Sequence, residues 1–171
     1  MESKHLYTSD QKIQWFGYGE WVEEPDEVNF EHLGFKCLVW RVVALEYSGY
    51  AFGGHLCGYM QIPIDHPWYG KTYDDIDCEC HGRLTYSDFG LRGERDGYCI
   101  GFDCGHIGDV TPSIDKLMGD RVTQESNEYV QNYAAHRLKY FHPTYKNIPY
   151  AIGETKSLAE QAFKAVLNGM D

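Results

Sequence analysis

Residues 35–45, which read Phe-Lys-Cys-Leu-Val-Trp-Arg-Val-Val-Ala-Leu, form the strongest apolar run in the chain. Apolar side chains fall on both faces of this run when it is extended. Such a strand needs cover on both sides and belongs in the middle of a sheet. It is far shorter than the roughly 20 residues a membrane helix requires, and Arg41 interrupts it, so no membrane partner is expected. An aromatic fraction of 15% favours pleated surfaces over a helical bundle. Shorter strands fit residues 14–22, 54–62, 78–86 and 98–104, separated by glycine, proline and aspartate. Beyond residue 120 the spacing turns helical. One stripe covers 129–141 and ends before Pro143; a second covers 148–166, with Gly153 inside it and Gly169 placed as a C-terminal cap. The expected fold is α+β in a single domain, 1–171. Residues 1–14 form a loose arm, 15–120 a β-rich antiparallel or mixed sheet, and 121–171 a part with two C-terminal helices.

The formal charge of −11 removes long-range attraction to a phosphate backbone, which argues against non-specific nucleic-acid binding. Small ligands or basic protein surfaces are the expected partners. The acidic residues Glu23, Glu24, Asp26, Glu27 and Glu31, followed by Asp74, Asp75, Asp77 and Glu79, suggest an alternative: an acidic nucleic-acid mimic that inhibits a host protein. Six cysteines without a Cys-x-x-Cys pair, in a chain that opens with no apolar leader, read as reduced thiols in a cytoplasm.

Two segments concentrate chemistry: Cys78-Glu79-Cys80-His81-Gly82 and Gly101-Phe102-Asp103-Cys104-Gly105-His106-Ile107-Gly108-Asp109. If 78–86 is a strand, alternation puts Glu79, His81, Arg83 and Thr85 on one face. His81, Asp103, His106 and Asp109 are then the expected catalytic residues and also the candidate metal ligands. A mixed imidazole and carboxylate set suits Zn or Mn, which polarises a phosphoryl oxygen or activates water. Without metal, a histidine serves as general acid or base, with Asp103 fixing its tautomer. A third reading is a buried polar network that ties strand ends together. Expected ligand-binding residues are His66, Trp68, Tyr69 and Lys71, for stacking on a base and contacting phosphate, together with Arg83. The glycines of Gly53-Gly54-His55 read as a bulge or tight packing, and 88–97, with Arg92, Glu94, Arg95 and Asp96, as a solvated hairpin end.

Several motifs resemble a functionally uncharacterised family of small proteins from phages, prophages and some bacterial genomes. They are Trp21-Val22-Glu23-Glu24-Pro25-Asp26; Cys57-Gly58-Tyr59-Met60 leading to Ile62-Pro63; His66-Pro67 with Tyr69-Gly70-Lys71; and His81-Gly82 with Leu84-Thr85-Tyr86. Gly101-Phe102-Asp103-Cys104-Gly105-His106 with Gly108-Asp109, and the ending Tyr150-Ala151 to Glu154 with Ser157-Leu158-Ala159-Glu160-Gln161, complete the set. Arg83 stands where the family pattern has a second glycine. The resemblance implies a phage-associated product acting in the host cytoplasm, in the setting of host defence. The expected function is binding of a small phosphorylated or nucleotide-like ligand; whether the protein is an enzyme is left open, with hydrolysis the reaction class if it is. A structural or assembly role without a ligand is the remaining alternative, and a homodimer through the central strand is left open.

Overall fold

A computed structural model of the chain describes residues 1–46, 51–91, 97–124 and 128–168. Six strands form one antiparallel sheet: β1 (Glu2–Lys4), β2 (Glu27–His32), β3 (Phe35–Leu45), β4 (Ala51–Ile62), β5 (Tyr86–Phe89) and β6 (Tyr98–Asp103). Their order is β1-β2-β3-β4-β6-β5, which puts the apolar run at the centre. Leu33 and Gly34, both at positive φ, close the two-residue turn between β2 and β3, as the right-handed twist of a hairpin prefers. Between β3 and β4 the register slips at Arg41 and Val43. Opposite the slip, Gly53 has φ 102°, and a Cβ there would come 2.4 Å from the Val42 carbonyl oxygen. The glycine pair is therefore a bulge.

Among the described residues four helices accompany the sheet: α1 (Ser9–Phe16), α2 (Pro112–Gln124), α3 (Glu128–Phe141) and α4 (Ile148–Asn168). The last three follow β6, so the α+β class holds with one more C-terminal helix than the spacing predicts. No helix among the described residues is long and apolar enough to cross a membrane. α4 runs unbroken through Gly153 and lays Ala151, Leu158, Ala159 and Ala162 on a sheet face formed by Val39, Leu56, Met60, Ile62, Ile100 and Phe102. At Gly58 a Cβ would sit 2.4 Å from Thr155 Oγ1, so the missing side chain lets α4 approach the sheet.

Three expectations are corrected. The loose arm of 1–14 is ordered: β1 pairs with β2, and α1 starts at a capping box in which Thr8 Oγ1 accepts from Gln11 N while the Gln11 side chain accepts from Thr8 N. Residues 14–22 are the end of α1 and a short 3-10 turn (Glu20–Val22), not a strand. Residues 78–86 do not form a strand either; Gly82 and the non-glycine Arg83 both take positive φ, which turns the chain out of an extended course, and pairing begins only at Tyr86. Arg92 to Asp96 and Gly169 lie outside the described residues.

Two cations and two carboxylates hold the arm to the centre of the sheet. Lys12 Nζ lies 3.0 Å from Asp26 Oδ1, and all of these side-chain atoms are shut off from solvent. Arg41 reaches the same oxygen through Nε at 3.0 Å and Glu24 Oε2 through Nη2 at 2.9 Å. Its Nη1 donates to the Gly54 carbonyl and to Tyr145 Oη, and Tyr145 in turn donates to Glu24. Asp26 Oδ2 accepts from the backbone of Leu6 and Tyr7. Ions taken out of water are tolerated only when fully paired in this way. Asp26→Ala should cost about 3–5 kcal/mol, the scale for breaking a buried pair, measured by urea unfolding. A loss below about 1 kcal/mol, the scale of surface pairs, would show that the network is solvated.

Candidate functional site

Two turns bring the chemistry together. After β6, the His106 N–H donates to Asp109 Oδ2 (2.9 Å) and the Asp109 N–H to the His106 carbonyl (2.8 Å), folding 106–109 onto its own carboxylate. Asp109 also bridges in parallel to Thr144, with Val110 N donating to the Thr144 carbonyl. The second turn closes where Arg83 N donates to the Cys80 carbonyl. Its preceding segment is clipped to α4: Glu79 N donates to Gln161 Oε1, Gln161 Nε2 donates back to the Glu79 carbonyl, and His81 N donates to Glu154 Oε2. His81 thus arrives from a turn rather than from a strand face.

The centre is one oxygen. Asp109 Oδ2 lies 2.8 Å from His81 Nε2 and 3.3 Å from His106 Nδ1, and these three donor atoms all fall within 4.8 Å of one another. The two imidazoles meet edge to face at 5.3 Å. On its far side His81 Nδ1 contacts Tyr150 Oη at 2.9 Å, the outer partner that fixes an imidazole tautomer. Lys146 Nζ stands 3.8 Å from Asp109 Oδ1. Burial pushes the Asp109 carboxyl up, but hydrogen bonds from His81 and from the His106 backbone outweigh it and hold the group below the usual carboxylate range. Asp109 is nearly closed off, whereas His106 keeps 35% of its side chain exposed, so the cluster opens on that side. Gly82 makes room for it: with φ 63°, a Cβ there would meet His106 Cε1 at 2.1 Å.

Asp103, 3.9 Å from His106 Nδ1, is the outer member. It links the cluster to a cavity of about 530 Å³ whose wall includes His55, Tyr59, Tyr86, Asp103, Thr111 and Ser113. Tyr59 and Tyr86 pack edge to face at 5.4 Å above Gly101, where a Cβ would sit 2.4 Å from Tyr59 Cδ1. His55 Nδ1 is buried with no hydrogen-bond partner among the described residues. Desolvation lowers its pKa, against the pull of Asp103 and Asp109.

The structure therefore unites His81, His106 and Asp109, with Asp103 beside them. The expected ligand-binding set does not join them. His66 is buried, with Nε2 donating to the Ala162 carbonyl and Nδ1 accepting from Trp68 N, and so pins the loop to α4. Trp68 is only 7% exposed within the core, which corrects its assignment as a stacking platform. Tyr69 packs against Phe89 and Tyr98, and the Lys71 carbonyl accepts from Tyr98 Oη. Exposed Arg83 lines a different cavity. Tyr150, Lys146 and Glu154 escape sequence reading because helix and loop residues some 70 positions away from His81 carry no local signal. No protein-family model, curated protein or solved structure matches the chain.

Burial lowers the pKa of both His55 and His66. The unfolded chain then binds more protons than the folded one below about pH 6.5, the free imidazole value, and stability must rise with pH through that window. Urea unfolding across pH 5–8 should show stability complete above about pH 6.5 and declining on acidification. His66→Gln should flatten the slope, whereas an unaltered slope would assign it to other groups.

Proposed function

We propose that the chain binds a small phosphorylated, nucleotide-like ligand and hydrolyses it with the help of a divalent cation, Zn or Mn, held by His81, His106 and Asp109. The observation that carries this reading is the convergence of two imidazole nitrogens and one carboxylate oxygen within 4.8 Å. Two histidines and a carboxylate would leave positions on such an ion free for a substrate oxygen and a water, and the ion would supply polarisation of the phosphoryl group or a lowered pKa of the water. For the cation to bind, His81 must offer Nε2 bare. Nδ1–H then donates to Tyr150 Oη, a role the hydroxyl can fill because it both accepts and donates. Lys146 supplies positive charge beside the carboxylate in a chain whose overall field repels anions.

The body of the ligand fits the adjoining cavity of about 530 Å³, within the range of small-molecule sites. Val42, Phe52 and Ile114 give it apolar walls, and His55 Nδ1 offers an unused polar atom. The phage setting and the host cytoplasm belong to this proposal. The nucleic-acid mimic reading loses support, since Glu24, Asp26 and Glu27 of its acidic cluster are engaged with Arg41, Lys12 and Lys4.

Added Mn²⁺ or Zn²⁺ should raise the melting temperature of tag-free protein, by a free energy of about 2.7 kcal/mol at a hundredfold excess over Kd. Asp109→Asn should abolish the shift. Gly82→Ala, which forces His106 aside, should weaken cation binding about 10–100-fold, the effect of disturbing a ligand's support. A screen of cyclic dinucleotides, mononucleotides and ADP-ribose derivatives, run with and without the cation, should return a stabilising ligand only when the cation is present. No cation-dependent shift in the wild-type protein would overturn the reading.

A further inference from the structure

The pairing of β4 with β6 sets Cys57 opposite Asp103 and Tyr59 opposite Gly101, so His55, Tyr59 and Asp103 share the sheet face turned away from α4. Tyr86, opposite Gly101 from the other side, joins them, and all four line the cavity of about 530 Å³. Two polar groups stand side by side in its wall. A Cβ at Gly105 would lie 3.2 Å from Asp103 Oδ1 and 3.2 Å from His55 Nε2, so the missing side chain keeps the ground between them clear. The Gly105 N–H donates to Asp103 Oδ1 at 2.9 Å and aims the carboxylate, while Oδ2 takes no hydrogen bond among the described residues. His55 Nδ1 is buried without a partner. A bare acceptor survives that state better than an orphaned N–H, so the ring proton belongs on Nε2.

One N–H beside one carboxylate matches a vicinal diol. Each hydroxyl both donates and accepts, so the carboxylate takes the O–H groups while Nε2–H donates to a hydroxyl oxygen, and the bonds to the carboxylate are charge-assisted. The neighbourhood decides for a sugar over the edge of a base. Asp103 Oδ1 stands only 3.9 Å from His106 Nδ1, beside the place assigned to the phosphate. A sugar carries its phosphate directly, whereas the hydrogen-bonding edge of a base is held away from it by the whole sugar. With the sugar at Asp103, the base extends over the rings of Tyr59 and Tyr86, which offer a stacking surface. We propose that His55 and Asp103 grip the 2′,3′-diol of a ribonucleotide. This rests on the nucleotide reading above and narrows it: 5′-mononucleotides and ADP-ribose derivatives with both hydroxyls free qualify, while deoxyribonucleotides and 3′,5′-linked cyclic dinucleotides do not.

The test is saturation-transfer NMR of the full chain, without added cation, against adenosine, guanosine, cytidine and uridine and the 2′-deoxy form of each. At least one ribonucleoside should bind, and its 2′-deoxy form should bind at least about 10-fold more weakly, the scale of a hydrogen bond to a charged group. Asp103→Asn keeps an acceptor for the Gly105 N–H and should erase most of that preference while leaving the deoxynucleoside's affinity unchanged. His55→Phe keeps a ring but no donor and should also weaken the ribonucleoside. Because neither phosphate nor metal takes part, the failure of the divalent site and of the diol grip are told apart: equal binding of the two sugars removes the grip and leaves the cation shift standing. That equality, the absence of binding by every ribonucleoside, or a preference that survives Asp103→Asn would overturn the proposal.

Discussion

The pairing of Arg41 with Asp26 and Glu24 inside the sheet is the interaction on which the rest of the structure depends. A guanidinium in a central strand with no access to water demands acceptors on every side. The chain meets that demand from three places, the turn before β2, the bulge carbonyl of Gly54 and the hydroxyl of Tyr145, and the shared Asp26 also holds Lys12 of α1. Glu24 also accepts from Ile148 N, so the same carboxylate caps the first turn of α4. Satisfying one buried charge thus positions the first and last helices on a common sheet.

The candidate site inherits that order. Asp109 is bridged to Thr144, the residue before Tyr145, and Lys146 follows on the other side. A stretch of three residues therefore touches both the buried ion network and the carboxylate between the histidines. α4 completes the arrangement by holding the His81 turn through Gln161 and Glu154 and by presenting Tyr150. The cluster is held by rigid elements on several sides, as a preorganised site requires.

Much of this was legible in the residues, and the exceptions have physical causes. Strands β3, β4 and β6 carry apolar patterns strong enough to read directly, and both stripes of 129–141 and 148–166 mark helices. The grouping of His81, His106 and Asp109 follows from glycine-rich turns beside chemically dense segments, though alternation along 78–86 misleads about how His81 arrives. Gly82 was the available warning, because a glycine after a histidine permits the positive φ that ends pairing. α1 was missed, because the polar composition of 1–14 reads as a loose arm and masks both the Thr8 and Gln11 capping pair and a lysine that becomes buried only once Asp26 is placed. Rings and cations at 66–71 could not be sorted into core and ligand contacts, since the ceiling over His66 is the Ala162 carbonyl, 96 residues away.

The parallel bridge between Asp109 and Thr144 joins the histidine cluster to the segment carrying Tyr145, and through Tyr145 and Arg41 to the buried ions that hold Lys12 of α1. Detaching residues before Glu24 would strip Lys12 from Asp26, leave that buried carboxylate with one of its two cations, and loosen the network that holds Tyr145. The imidazole pair would then lose its register without any change to a residue that touches it. Trimming near the start of the molecule would, in this architecture, act at a distance on the packing of those rings.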